Sequence, residues 1–298
     1  MTNLGDLEIF ARVVSTGSMS AAARALGYSP AVISKRIRRL EERLGTRLLQ
    51  RTTRQISLTE AGQGFHERVL AILAGVEEAE SFASGRSGQV QGRLRISAPA
   101  SFGHRHIAPS LPAFLEANPG LVVNIVLSDA FTDIVAEGFD LAIRIGELSD
   151  SSLVARRLAG VRRVLCAAPA YLSRHGTPSG IADLDAHHCI PQHNGDPWKL
   201  EGPDGPFVYR PQGRILTNSS EAVREVTLAG AGIALRSTWD VGADIRDGRL
   251  VRVLTDWEGS RSLAVSAVYP SRQFLPAKVR LFIDHLAELY GPVPEWER

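Results

Sequence analysis

The segment from Ser18 to Leu44 leaves this chain few choices of fold. It reads as helix, tight turn, helix, and a basic run from Arg47 to Arg54 follows it directly. Ser18 suits the N-cap of a short Ala-rich helix, Met19 to Leu26. Gly27-Tyr28 supplies the turn. Ser29 caps a second helix, with Pro30 at the first helical position, where its missing N–H costs nothing. Ile33, Ile37, Leu40 and Leu44 then recur at spacings of four, three and four, which predicts one buried stripe. At roughly 100° per residue, Ala31, Lys35, Arg38 and Glu42 point away from that stripe, with Ser34 beside them. A helix that buries one face and offers small, hydroxyl and cationic groups near its start suits a DNA major groove. Ser29, Ala31, Ser34, Lys35 and Arg38 are therefore the expected groove contacts. Arg51, Thr52 and Arg54 are the expected contacts to phosphate or the minor groove from a short wing, Gly45 to Leu58. The alternative for the wing is a solvated hairpin.

Charge distribution agrees. The net charge is only +2, but residues 1–60 carry ten cationic side chains against five acidic ones, +5, which leaves −3 for the rest. A basic end on a mildly acidic body suits a protein that docks DNA at one end. Asp6 and Glu8 stand where a signal peptide needs an apolar core, and no apolar run reaches membrane-spanning length. A cytoplasmic protein with no membrane contact is expected. In a reducing cytosol Cys166 and Cys189, the only cysteines, are expected to be packing residues rather than a disulfide or a redox sensor.

Leu4, Leu7, Phe10 (or Ala11) and Val14 predict a first amphipathic helix supporting the helix-turn-helix. Thr59 caps a long one, in which Phe65, Val69, Ile72, Val76, Ala79 and Ala83 form a heptad seam. The seam fits helix pairing in a dimer, or a helix lying on its own domain. Residues 84–88 end it as a linker. From Gly92 the pattern is β-α-β-α-β: a strand Arg93–Ala98, a helix from about Phe102 to Glu116, a strand Leu121–Ser128, a short helix near Thr132–Glu137 and a strand Asp140–Ile145. That order predicts a parallel sheet. A second unit holds strands Arg163–Ala168 and Gly213–Asn218, a helix Ser219–Ala229 and a strand Ile233–Arg236. Leu263–Tyr269 reads as a strand and Pro276–Tyr290 as a helix.

Several short texts together resemble the LysR-type transcriptional regulators. They are Leu7-Glu8-Ile9-Phe10, Gly17-Ser18-Met19-Ser20-Ala21-Ala22-Ala23, Ser29 through Ile37, Leu40-Glu41, Leu44-Gly45, Leu48 through Arg54 and Leu58-Thr59-Glu60-Ala61-Gly62. A match in that order over about sixty residues is far more specific than a short motif. Many members have Gln where Pro30 stands, so one base contact sometimes made there is absent. Downstream, Ser101-Phe102-Gly103 and Asp140 through Gly146 resemble one subgroup of the same family.

The resemblance implies an α/β fold class: an N-terminal winged helix-turn-helix (1–60), a dimerisation helix and hinge (61–88) and a two-lobed effector domain like a periplasmic binding protein (89–298). Lobe I would take about 89–161 and 266–298, and lobe II about 162–265, because the last strand and helix return to the first lobe. It also implies a homodimer or homotetramer, regulation of a neighbouring divergent promoter, RNA polymerase as a further partner, and a small-molecule effector. Ligands in such sheets bind beyond the carboxyl ends of strands, near helix N-termini. Ala100, Ser101 and Phe102 join the first strand to its helix, and Asn218 and Ser219 do so in the second lobe. Backbone N–H groups and small polar side chains there suit an organic anion, and Arg144 and Gly146 end the third strand nearby. For each residue the competing role is a helix cap or an exposed surface position.

Other signals fall away. His104 and His106 are about 200° apart on a helix and cannot share a metal ion there. His187-His188-Cys189 lacks ligand spacing. Gly230-Ala231-Gly232 precedes a strand and is expected to end a helix. No GxSxG, HExxH or P-loop pattern is present, so neither a catalytic centre nor a cofactor is expected. The rival classes are a small-molecule binding protein without DNA function, which leaves the basic helix-turn-helix unexplained, and an enzyme with a diffuse site.

Overall fold

The computed structural model describes residues 3–51, 56–83, 90–130, 133–135, 137–147, 153–192, 195–270 and 275–297. The N-terminal unit is α1 (Leu4–Thr16), α2 (Met19–Leu26), α3 (Pro30–Leu44), a hairpin of β1 (Leu49–Arg51) and β2 (Ile56–Leu58), and α4 (Glu60–Ala83). Its caps follow the expected chemistry. Ser18 Oγ accepts from Ala21 N and Ser29 Oγ from Val32 N, and Gly27 and Gly45 close α2 and α3 in the left-handed conformation. Leu7, Phe10, Val13, Ala22, Ile33, Ile37 and Leu40 form one core. Leu44 departs from the expected stripe and Leu4 from the first helix: they are 38% and 41% exposed, because each sits at an outer helix end beyond the packed turns. Phe65 and Val69 of α4 pack on this same core, with Phe65 5.4 Å from the Phe10 ring, while Ile72 is 48% exposed. The seam is thus divided: its start lies on its own domain and its middle faces outward. Ala79 and Ala83 carry no described side chains.

The next sheet contains β3 (Gly92–Ala98), β4 (Leu121–Leu127), β5 (Leu141–Gly146), β6 (Val154–Gly160) and, from far along the chain, β13 (Ala264–Tyr269). Their order is β4-β3-β5-β13-β6. β3 runs parallel to β4 and β5, and β13 runs antiparallel to β5 and β6. Between β3 and β4 lie α5 (Ala100–Phe102), a π turn (Gly103–Ile107), a 3-10 turn (Ala108–Ser110) and α6 (Leu111–Ala117). The single expected helix from Phe102 is therefore broken, and it starts two residues earlier. Pro109 and Pro112 have no N–H to give, so the regular i→i−4 ladder cannot run through them. The short helix expected near Thr132–Glu137 is one turn, in which Glu137 N donates to Asp133 O. Thr132 lies outside the described residues.

The second sheet contains β7 (Arg163–Ala167), then, after α7 (Pro169–His175), β8 (Trp198–Gly202) and β9 (Gly205–Tyr209); then, after α8 (Ser220–Leu228), β10 (Ile233–Ser237); then, after α9 (Thr238–Arg246), β11 (Val251–Arg252) and β12 (Glu258–Gly259). Its order is β10-β7-β12-β8-β9 with β11 beside β7, and these pairs are antiparallel. Residues 213–218 are not a strand. The segment alternates in burial but pairs with no strand, and Leu216 is 64% exposed.

After β12 the chain returns as β13 and ends in α10 (Ala277–Tyr290). The two crossings lie side by side, tied by Val161 N donating to Leu263 O at 3.2 Å. β13 enters the first sheet from this crossing, which is why it opposes β5: Ala264 pairs with Gly146 at one end and Val268 with Ala142 at the other. The return strand starts at Ala264, two residues before the expected boundary at 266. Among the described residues no helix is long and apolar enough to cross a membrane.

Candidate functional site

Two places carry the chemistry. The first is the outer face of α3. Its buried side is Ile33, Ile37 and Leu40, each 0% exposed. The opposite side shows Ala31, Lys35, Arg38 and Arg39 to solvent, with Ser34 half-buried beside them and Ser29 exposed at the cap. The cations of α3 divide by partner. Arg36 Nε bonds Asp6 at 2.7 Å and lies over the Tyr28 ring, and Arg43 reaches Asp6 at 3.8 Å. Lys35, Arg38 and Arg39 have no ion-pair partner among the described residues. Helix and wing are locked together by Glu41, whose carboxylate accepts from Leu48 N at 2.9 Å and Leu49 N at 3.1 Å. Thr59 continues the joint, donating to Arg47 O and accepting from Gly62 N. Arg51 ends β1; its side chain, Thr52 and Arg54 lie outside the described residues.

The second place is a cleft of about 390 Å³ between the lobes. Ser101 and Arg144 line it, as expected, together with Asp129, Arg163, Ser220 and Trp239. Arg144 comes from β5 and bonds Ser97 Oγ at 3.3 Å. Arg163 opens β7 and donates to Leu235 O at 3.0 Å and Gln192 Oε1 at 3.3 Å, with no ion-pair partner among the described residues. Burial presses the Arg163 guanidinium down to about 10, and the nearby Arg236 cation adds to the effect. Burial also lowers Arg144, with Glu137 opposing it. A cation in that condition is stabilised by an incoming anion. Trp239 Nε1 is buried with no partner in normal hydrogen-bond geometry, and Ser101 Oγ lies beside the Glu221 carboxylate, which it helps to hold ionised. A buried polar atom without a partner is costly and rare, and one on the cleft wall points to a guest that would satisfy it.

Other expected contacts fall elsewhere. Phe102 is a core residue, 0% exposed, with the rings of Trp239, Tyr290 and Trp296 5.2–5.9 Å away. One helical step separates it from Ser101, and that step turns its side chain inward. Ser219 caps α8 by accepting from Ala222 N, Asn218 is exposed, and neither lines the cleft; the next residue, Ser220, does. Gly146 ends β5 opposite Ala264 and is not a lining residue. Ala100 contributes its backbone N–H, which donates to Asp129 Oδ1 at 2.9 Å.

Sequence reasoning missed Asp129, Arg163 and Ser220. Asp129 is the most consequential, because its second oxygen accepts from Ser220 N at 3.3 Å across the cleft. Its own text, a strand end followed by Ser-Asp, gives no sign of a partner 91 residues away. Arg105 also spans the lobes, to Glu221 at 2.6 Å. His106 bonds the Trp239 carbonyl and meets the Trp296 ring edge-on, 4.6 Å away. Gly230 follows α8 with φ +78°, so its role is to end a helix. Cys166 and Cys189 are buried and unbridged, and burial pushes their thiols up to about 12 and about 11, away from the reactive thiolate.

Comparison with known proteins identifies the two domains in which these places lie. Residues 4–63 match the family "Bacterial regulatory helix-turn-helix protein, lysR family", and residues 87–291 match "LysR substrate binding domain". The chain is 38% identical over 292 residues to the HTH-type transcriptional regulator DmlR of Escherichia coli K12, spanning 97% of this chain and 94% of that one. Among solved structures it is similar to CrgA, a LysR-type transcriptional regulator from Neisseria meningitidis, with 33% identity and a TM-score of 0.62 over 98% of this chain and 100% of that one. It is likewise similar to the Vibrio cholerae virulence activator AphB, with 32% identity and a TM-score of 0.61 over 96% and 99%.

Proposed function

This chain belongs to the LysR family of transcriptional regulators, and from that premise we propose how its own residues divide the work. Members bind DNA through the helix-turn-helix and an effector through the substrate-binding domain; they are regulators and not enzymes. In this chain Ala31, Ser34, Lys35 and Arg38 read the major groove, with Ser29 at the helix start. Arg51, Thr52 and Arg54 contact phosphate or the minor groove. The observation that carries this reading is the sorting of the α3 cations: those at the packed side are paired with Asp6, whereas Lys35 and Arg38 stand exposed without an ion-pair partner among the described residues.

Two copies pair along α4, where Ile72 supplies exposed apolar surface, and set two reading heads on one duplex. The assembly is a homodimer or a homotetramer, and it meets RNA polymerase at the promoter of a divergent neighbour, in the cytoplasm. The effector is an organic anion in the cleft, held by Arg144, Arg163 and Ser101. Its binding favours one arrangement of the lobes and so changes the spacing of the heads.

Footprinting of the purified full-length protein on the DNA upstream of its own gene, across a salt series, tests the reading. A dyad-related protected site whose affinity falls steeply with salt is expected. Protection no better than on unrelated DNA, there and in a selection from genomic fragments, would sink it.

A further inference from the structure

A second cavity lies away from the interlobe cleft, where the N-terminal unit rests on lobe I. Its volume is about 640 Å³. One wall comes from α1 and α4, through Arg12, His66 and Leu73. The other comes from lobe I, through Arg93 of β3, Ile134 and Phe139. The two units touch beside it: a Cβ built on Gly138 would sit 3.2 Å from Ser15 Cα. A glycine there, at φ +67°, lets α1 approach the lobe I main chain.

Several polar groups on these walls are already engaged. Lys278 pairs with Asp140 at 3.1 Å and donates to Arg93 O at 2.7 Å. Arg95 donates to Glu137 O at 2.6 Å and lies 4.7 Å from the centre of the Phe139 ring. Others are not. His66 is 1% exposed, yet its Nδ1 has no partner. Burial keeps this imidazole neutral, so each ring nitrogen either donates or accepts. Arg12 and Arg93 line the cavity with exposed side chains and have no ion-pair partner among the described residues. Glu8, the other acid among the described lining residues, is exposed one turn before Arg12 on α1, and no ion pair joins the two.

We propose that this joint is a second small-molecule site, taking an organic acid with an apolar body and a hydroxyl group. Arg12 and Arg93 match the carboxylate, Leu73, Ile134 and Phe139 the apolar body, and His66 the hydroxyl. A hydroxyl fits because it can both donate to and accept from a neutral imidazole. A buried polar atom without a partner is costly, so a guest that satisfies His66 gains over one that lacks the hydroxyl. The volume lies among those of small-molecule sites, roughly 300–1,000 Å³. The cavity shares no described lining residue with the interlobe cleft, and the proposal does not rest on the reading of that cleft. Because the guest touches both units, its binding favours the arrangement in which they are in contact.

The test is calorimetric titration of the full-length protein with 3-(4-hydroxyphenyl)propionate, 3-phenylpropionate and 3-phenylpropylamine. The hydroxylated acid is expected to bind about fivefold more tightly than the plain acid, and the amine more weakly than either. Arg12→Gln is expected to weaken both acids about threefold. His66→Phe, which keeps a ring but removes its polar atoms, is expected to erase the advantage of the hydroxyl. Should His66→Phe fail to fold, Arg12→Gln decides alone, because an exposed side chain changes at little cost to the fold. Acids whose binding is untouched by Arg12→Gln overturn the proposal, and a loss in Arg144→Gln instead would place them in the interlobe cleft. A hydroxyl advantage that survives in folded His66→Phe, an amine that binds as well as the acids, or no binding of either acid overturns it too.

Discussion

The outer face of α3 and the interlobe cleft both present arginines to a guest, yet they are built in opposite ways. On α3 Lys35, Arg38 and Arg39 stand in solvent on a single helix, and one stretch of sequence supplies all three. In the cleft the cations are half-buried, come from β5 and β7, and face a carboxylate from the end of β4. The first arrangement costs little to keep because water solvates it, and it suits a polyanion that is met from outside. The second holds desolvated charge in reserve, and it suits a small ligand that must be enclosed. A surface for a large partner can be local, whereas an enclosure needs several elements.

The largest expected effect would break this contrast if it failed. Phe102→Ala removes a fully buried ring from the lobe I core, so a stability loss of about 3–5 kcal/mol is expected in denaturant unfolding. A stable variant defective only in effector response would return Phe102 to the cleft wall.

The next sharpens the contrast, because the DNA-binding half also buries an ionisable group. His66 of α4 is 1% exposed, its Nδ1 has no partner, and burial lowers it from 6.5 to about 4. The folded state therefore holds this histidine neutral where the unfolded chain protonates it. Stability is full above pH 6.5 and declines as the pH falls towards 4, by at most about 3 kcal/mol. Unfolding of His66→Phe should lose that part of the pH dependence; an unchanged profile would show that His66 titrates normally in the folded protein.

The smallest effect concerns α3 itself. Arg38→Ala should weaken operator binding by about 1–3 kcal/mol and relax sequence preference, while stability stays within about 0.5 kcal/mol. Unchanged affinity and preference in a binding titration would remove Arg38 from the reading face.

The same contrast explains what could be read from the chain. The helix-turn-helix depends on local signals (caps at Ser18 and Ser29, a turn at Gly27, a stripe at Ile33, Ile37 and Leu40), and these residues all adopt the expected roles; Gly45, read only as the start of the wing, also closes α3. Leu44 alone left the stripe, since a pattern gives direction but not the end of the neighbouring element. The two-lobed α/β architecture was also legible, largely through family resemblance. Details of the cleft were not. Ser101 and Phe102 are neighbours in sequence with opposite fates, and Ser219 and Ser220 are equivalent to any capping rule. The hairpin of β8 and β9 went unread although Asp204-Gly205 is a turn signal and Trp198 to Glu201 alternates apolar and polar before it; the run is only four residues long, and Gly205-Pro206-Phe207-Val208 after the turn does not alternate. Asp129 was invisible for a different reason: its meaning lies in a backbone N–H of another lobe.

The placement of β13 has a consequence for how the chain acquires its structure. Val265 pairs with Ile145 on one side and Ala159 on the other, in the middle of the first sheet. Until residue 269 has left the ribosome, β5 and β6 have no strand between them, and their edges stay unpaired while the whole second lobe is being made. Pairings of such sequence separation form late and slowly. The N-terminal unit, closed within residues 4–83 by its own core, has no such wait. A nascent chain would thus own a finished DNA-reading head well before it has a sensor, and a truncation anywhere before β13 would release the head without the lobe that governs it.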